Sequence, residues 1–117
     1  MSGGGTGNPP LSGYRLMWMM VLFDLPVDDA SRRKAATDFR NFLLDLGFSR
    51  TQFSVYMKYC SGKDHVKTLT NKITMAVPQY GDVKILSITD KQYENVVSFS
   101  GRRREAPAKN PGQLALF

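Results

Sequence analysis

Cysteine and histidine are almost absent from this chain of 117 residues, which contains one of each, Cys60 and His65. A lone cysteine excludes an internal disulfide, and one cysteine with one histidine cannot supply the four ligands of a structural zinc site. Long apolar runs are also missing, because the longest covers the eight residues 16–23, whereas a membrane helix needs about 20. The opening residues lack the basic and apolar regions of a signal peptide. These absences predict a soluble cytoplasmic protein in a reducing compartment, with no membrane contact.

Acidic residues are fewer than basic ones: ten Asp and Glu against 16 Lys and Arg give a net charge of +6. A positive excess is typical of proteins that bind polyanions, although by itself it is a weak signal. The length suits one domain. From the change in composition along the chain we predict a flexible Gly/Pro extension over residues 1–13, a folded domain over 14–99 and a basic tail over 100–117. The tail carries four basic and one acidic residue, which is half of the net charge. Its apolar end, residues 114–117, either frays or docks on this subunit, a twin or another protein.

The first predicted strand, residues 14–23, is rich in large apolar side chains. Because side chains alternate along a strand, Asp24 falls on the face that carries Trp18, Met20 and Leu22. The opposite face of this strand is equally apolar, so the strand needs cover on both sides.

The remaining elements follow from hydrophobic periodicity and from residues that end helices, notably Gly47 and Pro78. The elements predicted in this way are, in chain order, a helix over 28–46, one strand or two over 48–59, a helix over 63–77, a strand over 83–89, and a short helix or turn over 90–98 with Asp90 as its N-cap.

The order of strand, helix, two strands, helix and strand is the split βαββαβ arrangement, which predicts an α+β fold, the ferredoxin-like sandwich. The two helices of this fold cover only one face of its sheet. The second apolar face of the first strand would then stay exposed in a monomer. We therefore predict a homodimer that packs through the open sheet face.

Asp24 is the strongest candidate for chemistry, because it ends a buried strand beside an apolar face. Its carboxylate is a hard oxygen ligand that suits Mg²⁺ or another divalent cation. The alternative is that Asp24 organises the following turn by accepting backbone N–H groups. One carboxylate is a poor metal site, but a two-fold dimer would bring two copies together. The other acids are expected to cap helices, face solvent or lie in turns, namely Asp28, Asp29, Asp38, Asp45, Asp82 and Asp90.

Basic residues form two clusters that predict nucleic-acid binding. The first helix carries Arg32, Arg33, Lys34 and Arg40, and the predicted flexible tail carries Arg102, Arg103 and Arg104. Phosphate contacts need only positive charge at suitable spacing, so such surfaces would bind a duplex without reading its sequence. The alternative for the helix residues is an ordinary solvated face.

Several motifs, taken in order, resemble one family. They are VLFDLP at 21–26, RRK at 32–34, FRNFL at 39–43, QFSVY at 52–56 and GDVKILSITDKQY at 81–93. Over about residues 14–101 the chain resembles the small CRISPR-associated family called "Cas two", and the QFSVY and TDKQY segments are most similar to the versions that accompany type II systems. The resemblance implies a ferredoxin-like homodimer in which Asp24 is the Mg²⁺ ligand and catalytic residue of an endonuclease that acts on RNA or DNA.

The same resemblance implies a part in spacer acquisition. A dimer of this chain would bridge two dimers of the CRISPR integrase subunit and hold spacer double-stranded DNA by its backbone, with Arg32, Arg33 and Arg40 as candidate contacts. Integration itself would not need catalysis by this subunit. Family members often end in a strand that pairs with the partner subunit, and residues 96–99 or 114–117 are candidates for it. The alternatives are a stand-alone, toxin-like, metal-dependent endoribonuclease and a small-molecule-binding dimer, although the latter has no evident use for a basic arm.

Overall fold

A computed structural model describes residues 16–107. The predicted extension over residues 1–13 and the apolar end over 114–117 lie outside the described residues. The elements in chain order are β1 (Met17–Asp24), α1 (Ala30–Asp45), β2 (Ser49–Gln52), β3 (Val55–Cys60), α2 (Lys63–Thr74), β4 (Asp82–Thr89), α3 (Asp90–Glu94), β5 (Phe99–Ser100) and β6 (Arg103–Arg104). Within this range no helix is both long enough and apolar enough to cross a bilayer.

Strands β1 to β4 form one antiparallel sheet in the order β2-β3-β1-β4. The predicted α+β class is confirmed, and the four-stranded antiparallel sheet in this strand order is compatible with the predicted ferredoxin-like arrangement. The packing of a second copy against the sheet stays a prediction.

The central strand β1 separates two different environments, as its alternation predicts. The side chains of Met17, Met19, Val21 and Phe23 are buried, and three of them join the core under the helices. On the other face Trp18, Met20 and Leu22 are half-buried and Asp24 is exposed. The core consists of Met19, Val21, Phe23, Phe39, Leu43, Phe48, Tyr56, Cys60, Leu69 and Ile73.

Helix α1 begins and ends close to the predicted residues because its capping signals are strong. The Asp29 side chain accepts a hydrogen bond of 2.8 Å from the backbone N–H of Arg32, which satisfies one free donor of the first turn. After the C-cap Leu46, Gly47 takes a φ of +96°. Only glycine adopts that region without strain, so the chain leaves the helix there.

The cap of α3 differs from the prediction. Thr89, not Asp90, is the N-cap: its side chain accepts from the backbone N–H of Gln92, while the Gln92 side chain accepts from the backbone N–H of Thr89. This reciprocal capping box satisfies two donors at once. Asp90 instead lies in the first turn, where its negative charge interacts favourably with the positive end of the helix dipole.

The predicted strand over 48–59 is divided into β2 and β3. Phe53 and Ser54 form the turn between them, and the register shifts between Arg50 and Gln52. Two strands were one of the two predicted arrangements and are confirmed, but the chain turns at residues 53–54 rather than at the predicted pivot near 50–52, where only the register shifts.

The chain that follows α3 partly covers the open face of the sheet. The ring of Tyr93 stacks on Trp18 with centroids 4.3 Å apart. Val96, Val97 and Phe99 then line a cavity of about 440 Å³ with sheet residues that include Met20, Leu22, Val55 and Met57. The open face nevertheless remains largely apolar and accessible, with Leu86 50%, Val97 52% and Phe99 60% exposed.

Residues 99–104 form a two-stranded ribbon rather than a structureless arm. Phe99 pairs with Arg104 and Ser100 with Arg103, and Gly101 makes the turn with a φ of +64°. The ribbon is held further by a hydrogen bond of 2.7 Å from the backbone N–H of Glu105 to the carbonyl of Ser98.

Candidate active site and nucleic-acid interface

Asp24 lies at the carboxyl end of β1 with its carboxylate in solvent. Its backbone is fixed on both sides. The N–H of Phe23 donates to the carbonyl of Ser54 at 3.1 Å. On the other side Gly81, with a φ of +100°, packs so closely that a Cβ there would lie 2.7 Å from the Asp24 carbonyl oxygen. Glycine is therefore required at position 81 for the close approach that positions Asp24.

The Asp24 carboxylate accepts no hydrogen bond from any group in residues 16–107. The turn-organising role, which needs such bonds, therefore finds no support in the described part of the chain. A carboxylate without protein donors keeps its oxygens available for a cation.

Asp82 is the direct cross-strand partner of Asp24. Side chains of directly opposed residues lie on the same face of a sheet, with Cβ atoms about 4.5–5.5 Å apart. Two carboxylates therefore stand side by side on the open face. Sequence reasoning assigned Asp82 to a turn, whereas it is the first residue of β4. The turn at Gly81 does indicate that a strand begins close to Asp82. The register that opposes Asp24 and Asp82, however, depends on the pairing of strands that are distant in sequence.

The two carboxylates fit Mg²⁺ as an open site. Within residues 16–107 no group of three or more His, Cys, Asp and Glu side chains could enclose a metal ion. Mg²⁺ is ordinarily held by one or two carboxylates and keeps waters or substrate phosphates in its other positions. The donors of Asp24 and Asp82 have the right chemistry for that arrangement.

Two of the basic residues predicted on α1 are engaged by acids close to them in sequence. The Arg32 guanidinium lies 3.0 Å from the Asp28 carboxylate and 3.8 Å from that of Asp29. The Asp28 carboxylate accepts a hydrogen bond from the Arg32 guanidinium and another from its own backbone N–H. These two bonds hold the pKa of the Asp28 carboxyl below its ordinary value. Lys34 pairs with Asp38 at 2.7 Å. These ion pairs leave Arg32 and Lys34 less available to phosphates.

Arg32 is also occupied by an aromatic neighbour. Its guanidinium lies over the ring of Tyr80, 4.8 Å from the centroid. The two side chains line a cavity of about 290 Å³ at the start of α1, together with Leu25 and Pro26, which follow Asp24.

Arg33 and Arg40 have no acidic partner among the described residues. The Nη1 of Arg33 donates to the carbonyl of Val27 at 3.2 Å. Arg40 lies 5.8 Å from the centroid of the Phe53 ring, and Arg50 of β2 lies at the same distance. The predicted basic cluster of α1 thus falls into two pairs, one engaged by aspartates and one without acidic partners. Arg50 joins Arg40 beside Phe53, and the sequence did not indicate this because Arg50 lies on β2.

Arg102, Arg103 and Arg104 are exposed on the turn and second strand of the ribbon. None of them forms an ion pair with another described residue. No acid of residues 16–107 therefore offsets their charge towards a polyanion.

Cys60 and His65 are not part of the Asp24 site. Cys60 is fully buried and pairs with Met17, at the opposite end of β1. Burial raises the pKa of its thiol, which the charge of Lys58 only partly opposes. His65 accepts a hydrogen bond through Nδ1 from the backbone N–H of Ser61 at 3.2 Å. Neither residue can act as a nucleophile or base beside Asp24.

Comparisons with known proteins identify the family of this chain. The family model described as "CRISPR associated protein Cas2" matches residues 17–96, which include β1 and β4. A protein of Paracidovorax avenae named CRISPR-associated endoribonuclease Cas2 is 53% identical over 107 residues, covering 92% of this chain and 99% of that protein. Proteins of the same name from Flavobacterium psychrophilum and Streptococcus mutans strain UA159 are 38% and 34% identical, covering 92% and 86% of this chain and 93% of each relative. The chain therefore belongs to the Cas2 family of CRISPR-associated proteins.

Proposed function

We propose that this chain is a dimeric scaffold of CRISPR spacer acquisition that holds duplex DNA by its backbone and carries a metal-dependent endonuclease site at Asp24. Membership of the Cas2 family supports the CRISPR setting. One observation supports the nuclease part of the proposal: the exposed Asp24 carboxylate accepts no hydrogen bond within residues 16–107. It lies opposite Asp82 at the rim of an apolar sheet face.

The homodimer is supported by the open face of the sheet. Leu86, Val97 and Phe99 expose half or more of their surface there, and contiguous exposed apolar surface marks interaction sites. A two-fold axis through this face would bring each residue near the axis close to its own mate. If that axis passes beside Asp24 and Asp82, the two copies of this pair would share one site.

Asp24 and Asp82 are the residues that would hold Mg²⁺. A bound magnesium ion supplies positive charge to a phosphodiester and lowers the pKa of a coordinated water. The chain contributes the orientation: Gly81 and the Phe23–Ser54 hydrogen bond fix the backbone of Asp24. Lys84, on the same face two residues from Asp82, adds a positive charge beside an incoming phosphate.

Duplex binding would use the arginines that lack acidic partners in the described chain. Arg33 and Arg40 lie on α1, and the ribbon adds Arg102, Arg103 and Arg104. Their charges suit backbone contacts that are independent of sequence. In the complex, one dimer of this chain would bridge two dimers of the integrase subunit.

The decisive test replaces Asp24 with Asn, which preserves size and removes the charge. We expect Mg²⁺-dependent cleavage of RNA or DNA to be lost while dimerisation, duplex binding and spacer acquisition persist. Asp45→Asn, on the exposed side of α1, is the matched control and should leave all four unchanged. If acquisition collapses in Asp24→Asn while the dimer and the complex with the integrase still form, the scaffold does require its carboxylate and the proposal is wrong.

A stand-alone endoribonuclease is the second candidate, favoured by the name endoribonuclease that the relatives carry. It predicts RNA cleavage by the purified chain without the integrase subunit, lost in Asp24→Asn, and no effect of the chain on spacer acquisition. Measuring acquisition in cells that lack only this chain separates the two functions.

A further inference from the structure

Phe53 is the most exposed aromatic ring in the described chain, with 72% of its surface accessible. It lies at the tip of the turn between β2 and β3. A single exposed apolar residue needs no explanation. Here, however, two guanidinium groups from different elements, Arg40 of α1 and Arg50 of β2, both lie 5.8 Å from the centroid of the ring.

The cluster of Phe53, Arg40 and Arg50 lies at the same end of the sheet as Asp24. The carbonyl of Ser54 accepts from the N–H of Phe23, so the turn that carries Phe53 is level with the end of β1. Arg50 pairs with the buried Tyr56 and therefore lies on the helix-covered side of the edge strand.

The two guanidinium groups are loosely held. Neither forms an ion pair with a described residue, unlike Arg32 and Lys34 of α1. A distance of 5.8 Å is near the outer limit of about 6 Å for a cation–π contact, which is weak at exposed sites. Both groups can thus turn towards a phosphate at little cost, and the ring face is then open to a planar partner.

We propose that Phe53 is a stacking platform for an unpaired base, with Arg40 and Arg50 binding the phosphates that flank it. This inference rests on the proposed function, since it assumes that the chain binds nucleic acid. It adds a binding site on this chain, at the turn between β2 and β3, for the unpaired nucleotides of a strand. Bases inside a duplex are stacked on each other and cannot reach the ring, whereas an unpaired base of any sequence can stack on an aromatic side chain.

The test compares a blunt DNA duplex with the same duplex that carries a short overhang containing the fluorescent base 2-aminopurine. We expect the wild-type chain to bind the overhang probe more tightly and to quench its fluorescence. Phe53→Ala should lose the quenching and weaken overhang binding by about 5-fold to 150-fold, the range found for loss of one base–aromatic stack. Affinity for the blunt duplex should stay within about two-fold.

Phe53→Tyr keeps the aromatic ring and should retain both the fluorescence quenching and the tighter binding of the overhang probe. Met75→Ala removes another exposed apolar side chain, 91% accessible and distant in sequence, and should behave as wild type. If Phe53→Ala binds both probes equally to wild type, the stacking platform is refuted while duplex binding stands. If Phe53→Ala instead lowers the dimer fraction in sedimentation, Phe53 is a contact between copies and the inference is wrong. If the wild-type chain binds neither probe, the proposed function fails as well.

Discussion

Asp24 and Asp82 are opposed on neighbouring antiparallel strands, so two carboxylates face solvent from one end of the sheet. Opposed like charges destabilise a strand pair. The arrangement therefore costs folding free energy in the absence of a cation. A bound divalent ion would remove that repulsion, and the same pair would then favour the folded state.

Asp82→Asn should make the metal-free protein more stable by about 0.2–1 kcal/mol, because it removes the repulsion across the strands. The same change should weaken Mg²⁺ binding and slow any Mg²⁺-dependent cleavage. Urea unfolding in the presence of a chelator, and again with excess Mg²⁺, measures both effects. Asp45→Asn is the control on α1. If Asp82→Asn is less stable than the wild-type protein in the presence of the chelator, the two carboxylates do not repel each other in the way proposed.

Gly81→Ala should cost about 3 kcal/mol of stability, because alanine is strained at a φ of +100° and its Cβ would meet the Asp24 carbonyl oxygen. We also expect reduced nuclease activity, since the clash displaces the backbone of Asp24. Gly101→Ala is the matched control: its φ is +64° and nothing lies within 4 Å of the added Cβ, so only about 1–2 kcal/mol of backbone strain applies. Equal effects of the two substitutions on activity would show that the contact with Asp24 is unimportant.

Removing two of the arginines without acidic partners, as Arg33→Gln with Arg40→Gln, should weaken duplex binding and lower the slope of log affinity against log salt by about 2. The double change Arg32→Gln with Lys34→Gln takes the same charge from the same helix. It should have a smaller effect, because those two side chains already form ion pairs with nearby aspartates at 3.0 and 2.7 Å. Anisotropy titrations at several salt concentrations give both slopes. If the two double variants bind alike, the surface for DNA lies elsewhere.

Cys60 should react with thiol reagents only as fast as the protein unfolds, because its side chain is fully buried. Burial also raises the pKa of the folded thiol. As pH rises past the ordinary pKa of about 8.5, the unfolded thiol ionises first, so stability should fall until the folded thiol ionises too. Cys60→Ala removes that alkaline loss. Rapid labelling under native conditions would contradict the burial of this residue.

The parts of the fold that depend on local patterns could be predicted from sequence. The alternation of β1 placed Asp24 with Trp18, Met20 and Leu22, and the caps at Asp29 and Gly47 defined α1, because strand and helix periods are properties of a few consecutive residues. The cap at Thr89 was also available in the sequence as Thr-x-x-Gln, but two adjacent residues with good capping side chains competed for the position.

What could not be predicted depends on contacts between distant residues. The opposition of Asp24 and Asp82 follows from the register of β1 and β4, and nothing local specifies it. Arg40 and Arg50 approach Phe53 only after α1 has packed on the sheet. The ribbon at 99–104 was missed because consecutive arginines have no strand-forming pattern, and its turn depends on the positive φ of Gly101.

The alternation in β1 also restricts how the strand can change in length. Inserting one residue between Trp18 and Asp24 would transfer every following side chain to the opposite face, so the carboxylate would enter the core and Phe23 would leave it. Inserting two residues would preserve both faces, but it would move Asp24 two positions out of register with Asp82. Paired insertions or deletions in this segment should therefore spare the core, whereas single ones should disrupt it.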